Sequence, residues 1–169
     1  MYRCEECGFE HALSDAELSG PSIVEGAGEC ASFLRTDDAG LGHRLGRRPS
    51  DDIWSPLEYC CHVRDVLLVQ RERVLLGRRA VRPSLESMGR DERVEHDGYA
   101  DQDAGDVARQ LTDAAAMFAH VIGRLGQDDW DRSVVYNYPL QGERSLRWVA
   151  VHTLHEVRHH LLDIRRQLA

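Results

Sequence analysis

The chain has 169 residues and a formal net charge of −8, with 42% hydrophobic and 30% charged residues, and all 21 of its basic residues are arginine. That length fits one globular domain able to bury a core, and the acidic balance argues against a general nucleic-acid binder, which needs a basic surface. No run approaches the roughly 18 apolar residues of a membrane span. Five cysteines, with no basic and then apolar start in "MYRCEECGFE", argue against a secreted disulfide framework and for a reducing cytoplasmic setting.

Residues 1–20 read as a cysteine-bearing, turn-rich entry segment, and 21–169 as the bundle that follows. A first helix is predicted from Pro21 to about Asp37, weakened by Gly26 and Gly28; "AGLGHRLGRRPSDD" after it reads as a loop. The second helix carries the clearest start. In "SPLE" at 55–58, Ser55 is the N-cap, Pro56 the first helical residue and Glu58 the third, a capping box. It is predicted to run to about Leu76, before Gly77. Leu57, Cys61, Leu68 and Leu75 keep helical spacing, and Val63, Val66, Leu67 and Val74 cover another face, so this helix is central.

A polar connection from Arg78 to Gln102 leads to Asp103, the cap of a third helix reaching about Leu125 with Val107, Leu111, Ala114, Ala115, Phe118 and Ile122 inward. "GQDDWDRSVVYNYPLQGER" then reads as a long loop without structure of its own, and Ser145 caps a fourth helix that runs to near the C-terminus. Short loops force antiparallel neighbours, whereas the 25-residue connection permits a crossover. The fold class is therefore all-α: a four-helix bundle, up-down-down-up, with a long crossover between helices 2 and 3. In that topology the connection between helices 3 and 4 lies opposite the site described next, unless it folds back along the bundle.

Four of the nine histidines fall in "VHTLHEVRHHLLDI" at 151–164. Histidine is a mediocre helix former, and packing does not call for four, so either this is a solvated, pH-sensitive face or some rings hold a metal. At 100° per residue His155 and His159 share a face and reach one ion, with His152 and Asp163 flanking them; His160 points about 100° away and is not expected to share it. His62 supplies a third donor. It lies about 10 Å below the start of helix 2, and His159 about 13 Å below the end of helix 4. Helix 2 starts where helix 4 finishes, so the three rings reach one level. Three imidazoles leave open positions on the ion, as catalytic sites do. Glu58, Asp65 and Asp163 are candidates to orient the rings as outer acceptors.

Cys4 and Cys7, followed by Gly8, resemble half of a zinc knuckle; the alternatives are a redox pair, although the motif does not open a helix after a strand as thioredoxin-like sites do, and neither role. No second CxxC exists, so Cys30, Cys60, Cys61, His11 or His43 would have to complete a metal site. Because the motif precedes helix 1, it is expected to be separate from the histidine site. Cys61 reads as a small core hydrophobe, and Trp54 and Trp148 as packing residues. In the crossover "ESMGRDERVEHDGYADQD", Arg90, Arg93, His96 and Tyr99 are candidates to contact an anionic substrate, with a solvated crossover as the plainer alternative.

"WSPLEYCCHVRDVL", followed some ninety residues later by "HTLHEVRHHLLDI", resembles the DinB superfamily of metal-binding four-helix bundles over residues 54–164. The resemblance places the family's triad on His62, His155 and His159. It implies a divalent ion (zinc first, then nickel or manganese), a small-molecule substrate and frequently a homodimer. The superfamily includes thiol-dependent enzymes, such as mycothiol-dependent maleylpyruvate isomerase and thiol S-transferases. "CEECGFE" is not part of the shared motif. The leading expectation is a thiol-dependent transferase or isomerase with a low-molecular-weight thiol cosubstrate, for which the arginine-only composition, typical of GC-rich genomes, suggests mycothiol. The alternatives are a metal-dependent hydrolase and a non-catalytic metal-binding stress or sensor protein.

Overall fold

The computed structural model describes residues 3–137 and 140–169. Met1, Tyr2, Tyr138 and Pro139 lie outside the described residues, the last two within the expected connection between the third and fourth bundle helices. In chain order the elements are a 3-10 turn at Leu13–Leu18, α1 (Ser19–Leu34), α2 (Ala39–Leu45), α3 (Pro56–Arg79), α4 (Arg90–His96), a 3-10 turn at Tyr99–Asp101, α5 (Ala104–Ile122), α6 (Gln127–Trp130), β1 (Ser133–Tyr136), β2 (Gly142–Ser145) and α7 (Leu146–Leu168).

Side-chain caps start three of the four long helices where their chemistry predicts. The Ser55 hydroxyl accepts from the Glu58 N–H, and the Glu58 carboxylate accepts from the Ser55 N–H at 2.8 Å, closing the capping box of α3. Asp103 accepts from Asp106 N–H at 2.9 Å to start α5, and Ser145 accepts from Trp148 N–H at 3.2 Å to start α7.

The helices α1, α3, α5 and α7 form a four-helix bundle in which α1 and α3 each pack against α5 and α7. Gly77 of α3 meets Leu146 of α7, and Gln167 near the end of α7 donates to the Trp54 carbonyl just before α3, so this pair is antiparallel. Arg64 of α3 donates to Gln110 of α5, early residues of both helices, so the pair joined by the crossover is parallel. Glu29, late in α1, pairs with Arg165, late in α7, whereas Gly20 at the start of α1 faces Ile122 at the end of α5. The topology is up-down-down-up. The core is apolar and fully buried at Ile23, Leu67, Val74, Leu111, Phe118, Leu146 and Ile164, and among the described residues no helix is long and apolar enough to cross a membrane.

Four boundaries depart from the periodicity. First, α1 begins two residues before Pro21 and ends at Leu34; Gly26 stays helical because a Cβ there would come within 2.8 Å of Val157, so the glycine permits the close approach of α1 to α7. Second, the expected loop at 39–52 contains α2, capped by Asp38, whose carboxylate accepts from Gly40 and Leu41 N–H. Third, α3 continues through Gly77 to Arg79, because packing on Leu146 and Val134 outweighs the weak helix propensity of glycine. Fourth, the connection before α7 is structured. β1 and β2 pair antiparallel from Ser133↔Ser145 to Tyr136↔Gly142, and β1 also bonds the start of the crossover through Leu85 N–H to Val135 C=O at 2.9 Å. Val134 and Tyr136 alternate inward along β1. The hairpin thereby folds back along the bundle and carries Tyr136 and Asn137 to the wall of the site.

Candidate metal centre

A cavity of about 950 Å³ opens between α3 and α7. α3 contributes Tyr59, His62, Gln70 and Arg73; α7 contributes His152, His155, Glu156, His159, His160 and Asp163; Trp54, the Glu86–Glu92 stretch of the crossover, Tyr136 and the N-terminal Cys4 and Glu6 complete it. The α7 residues arrive together because 152, 155, 156, 159, 160 and 163 recur at intervals of three and four along one broad helix face.

Among the described residues no single group holds all three predicted metal residues: His62 stands apart from His155 and His159, which also take part in groups with His11 and His152 and with His160 and Asp163 respectively. His62 gathers with Glu156 and His160, with donor atoms mutually within 4.8 Å. Glu156 Oε2 lies 4.0 Å from His62 Nε2 and 3.7 Å from His160 Nε2. These separations are too long for hydrogen bonds, but they lie within the span of two metal–ligand bonds of about 2 Å each. His155 and His159 gather with Cys4 and Cys7 under the same criterion. The expected separation of the CxxC from the histidines of the last helix is therefore not found: the N-terminal segment folds onto α7. His160, expected to point about 100° away from the ion of His155 and His159, meets His62 here; Glu156, which was not a candidate, shares its face, and the pair has the same i,i+4 spacing as His155 and His159, one residue later.

Glu156 sets a carboxylate between the His62 and His160 rings. Burial alone would raise the Glu156 carboxyl, but the His160 and His62 imidazoles overcome it and hold it well below the usual carboxylate range. For His160, burial works against protonation, but Asp163 at 3.1 Å and Glu156 raise it to about 9. Burial lowers His62, whose Nδ1 is sealed from solvent without a hydrogen-bond partner. Two imidazoles and one carboxylate suit zinc, and nickel or manganese also take such donors.

The outer candidates divide too. Asp163 accepts from His160 Nδ1 at 3.1 Å, a ring outside the triad it was expected to serve. Glu58 does not serve His62: it is bound by Arg48 Nε at 2.8 Å and by the helix cap. Asp65 faces Arg64 at 2.8 Å, Arg93 at 3.1 Å and the Tyr99 hydroxyl at 2.7 Å. Arg93 and Tyr99 thus pin the crossover to α3 instead of facing the cavity. His96 is exposed and does not line it. Of the four candidates in the crossover only Arg90 does, with its guanidinium 5.4 Å from the Trp54 ring. Trp54 and Trp148 pack against histidines: Trp54 lies 5.1 Å from His62, and Trp148 stacks on His152 at 4.5 Å.

Tyr136 is a site residue that the sequence reading passed over. Its hydroxyl accepts from Gln70 and Arg73, each at 2.8 Å, and its ring packs on Trp148 and His152. Only the strand alternation of "SVVY" could have signalled an inward side chain there.

No curated protein matches the chain at a significant level. Among solved structures, YfiT from Bacillus subtilis, described as a probable metal-dependent hydrolase with an unusual four-helix bundle topology, superposes with a TM-score of 0.79 at 12% identity, covering 98% of this chain and 91% of that one. At that identity the likeness speaks for the fold. The family model of the DinB superfamily matches residues 42–164. That match takes in α3, the crossover, α5, the hairpin and nearly all of α7, and the chain belongs to the DinB superfamily.

Proposed function

We propose that the protein is a divalent-metal-dependent enzyme acting on a small molecule in the α3–α7 cavity, with the ion held by His62, Glu156 and His160 and a low-molecular-weight thiol of the mycothiol type as the group it activates. The observation that carries this reading is the convergence of those three donors on the wall of an open cavity of about 950 Å³. Three protein ligands leave positions for an exogenous group, as in catalytic sites.

When bound, the ion supplies positive charge that lowers the pKa of a thiol or water placed on it. The surrounding residues organise the reactants. Asp163 accepts from His160 Nδ1 and so turns Nε2 toward Glu156. The bonds from Gln70 and Arg73 engage both lone pairs of the Tyr136 oxygen, which directs its own proton toward the cavity. Burial raises the Tyr136 pKa, so the phenol stays protonated and can donate to an oxyanion of the substrate. Arg73 and Arg90 give the wall cationic groups for an anionic substrate.

Hydrolysis is the second reading. A carboxylate with two histidines is the donor set of zinc hydrolases, and YfiT is described as a probable metal-dependent hydrolase. Isothermal titration of metal-loaded and metal-free protein with mycothiol, bacillithiol and glutathione decides between them, followed by conjugation, isomerisation and hydrolysis assays. Tighter thiol binding to the loaded form supports thiol transfer. Equal binding, with metal-dependent hydrolysis, moves the assignment to the second reading, and no turnover in any assay points to the non-catalytic alternative. Metal analysis of His160→Ala tests the ligand set: loss of the cavity ion supports His62, Glu156 and His160, whereas its retention returns the assignment to His62, His155 and His159.

A further inference from the structure

The cavity chemistry leaves the N-terminal CxxC without a role. Residues 3–10 form a tight hairpin: Cys4 N–H donates to Phe9 C=O and Gly8 N–H to Cys4 C=O, each at 2.9 Å. Gly8 has φ +73°, the left-handed conformation that favours glycine. This turn sets two thiols side by side in the way half of a zinc site is built. A hairpin so short, closed by the Arg3–Glu10 bridge, is not stable by itself. It rests on α7, where the donor atoms of Cys4, Cys7, His155 and His159 all lie within 4.8 Å of one another. Cys4 Sγ is 3.7 Å from His159 Nδ1. Tetrahedral zinc, with its usual bonds to sulfur and nitrogen, would set these atoms about 3.6 Å apart.

The two imidazoles point to an ion rather than a chance cluster. Both ring nitrogens of His155 are sealed from solvent without a hydrogen-bond partner, a costly state for a ring with one donor and one acceptor. Nδ1 lies 3.7 Å from Glu156 Oε1, so Nε2 is left for a ligand. His159 Nε2 lies 3.3 Å from Glu6 and 3.7 Å from Asp163, carboxylates placed to take its proton while Nδ1 faces Cys4. Metal-bound histidines are held in this way by acceptors on the far nitrogen. The order along the chain, C-x2-C then H-x3-H, is a zinc-ligand spacing.

We infer that Cys4, Cys7, His155 and His159 form a four-coordinate zinc site that clips the N-terminal hairpin onto α7. On loading, each cysteine releases its proton to solvent and binds as thiolate. Two thiolates balance the double charge of the ion, and four protein ligands leave no position for a substrate, so the site is structural. It is separate from an ion at His62, Glu156 and His160 and stands whether or not that ion is present. Its effect reaches the cavity, since the clipped segment lays Phe9 against His155 at 5.3 Å and supplies Cys4 and Glu6 to the wall.

Cobalt(II) substitution of the full chain, purified under reducing conditions, tests the site. Thiolate ligands give near-ultraviolet charge-transfer absorption, and tetrahedral geometry gives strong visible bands. Both are expected in the wild type and in His62→Ala. The Cys4→Ser, Cys7→Ser double variant should lose the charge-transfer absorption, together with about one ion per chain. As a variant that keeps four donors, His159→Cys should retain zinc and gain charge-transfer intensity from a third thiolate. Cobalt bound without charge transfer, unchanged metal content in the double variant, or a Cys4–Cys7 pair that takes up no zinc after reduction would overturn the inference. Loss of the band in His62→Ala would merge the two sites and refute their separation. A persistent band in a His62→Ala protein that keeps its full activity would instead sink the cavity reading alone.

Discussion

Two donor pairs sit one residue apart on α7, His155 with His159 and Glu156 with His160, and they face different partners. The first pair meets the thiols of the N-terminal hairpin, and the second meets His62 of α3. The single-residue offset rotates the second pair by about 100°. Spacing on a helix therefore fixes only that two side chains can share an ion. What arrives from elsewhere in the fold decides whether the set closes with soft thiolates or stays open beside a cavity.

Glu156 is the sharpest place to break that comparison, because one oxygen faces His62 and His160 and the other faces His152 and His155, at 3.7–4.0 Å. Glu156→Gln should weaken the cavity ion by more than the roughly 10–100-fold that loss of an outer acceptor costs. Cobalt charge transfer at the cysteine site should persist. Competition titrations with a chelator measure the first effect and absorption the second; equal loss at both would make the two sites one.

Asp163→Asn comes next. It removes the acceptor of His160 at 3.1 Å, and the cavity ion should weaken by about 10–100-fold. The cysteine site should change less, because Glu6 still faces His159. The same chelator titration, run on both sites, reports the asymmetry.

Glu58 tests whether acidic residues on α3 tune the site. Burial would raise its carboxyl, but Arg48 and the Ser55 N–H hold it below the usual range. A depressed carboxylate contributes stability that is present above its unfolded pKa of about 4.3 and is lost as pH falls through the lower folded value. Glu58→Gln should therefore cost about 1–2 kcal/mol at neutral pH through the lost cap and ion pair. It should also flatten the acid limb of the stability curve and leave metal content unchanged. Denaturant unfolding across pH, with metal analysis, checks this.

The smallest effect is expected at His96, exposed on α4 and away from the cavity. His96→Ala should move stability by no more than about 0.5 kcal/mol, and metal affinity should not change. A loss of substrate binding in that variant would show that α4 closes over the cavity in a way this structure does not contain.

Local chemistry determined the bundle. The caps at Ser55, Asp103 and Ser145, the apolar periodicity of α3 and α5, and the long polar connection were enough for four helices and the up-down-down-up order, because each acts within a few residues or sets how far the chain can travel. The presence of metal-type donors on α7 was equally legible. Pairing was not. His62, Glu156 and His160 come together through the register of α3 on α7, and Cys4 and Cys7 reach His155 and His159 across some 150 residues of chain, which no helical periodicity records. Tyr136 reaches the cavity only because β1 bonds both β2 and the crossover. Arg93 and Tyr99 have the right chemistry for substrate, but the buried Asp65 carboxylate claims them. A residue type states what a side chain can bind; only tertiary packing decides which of its potential partners comes within reach.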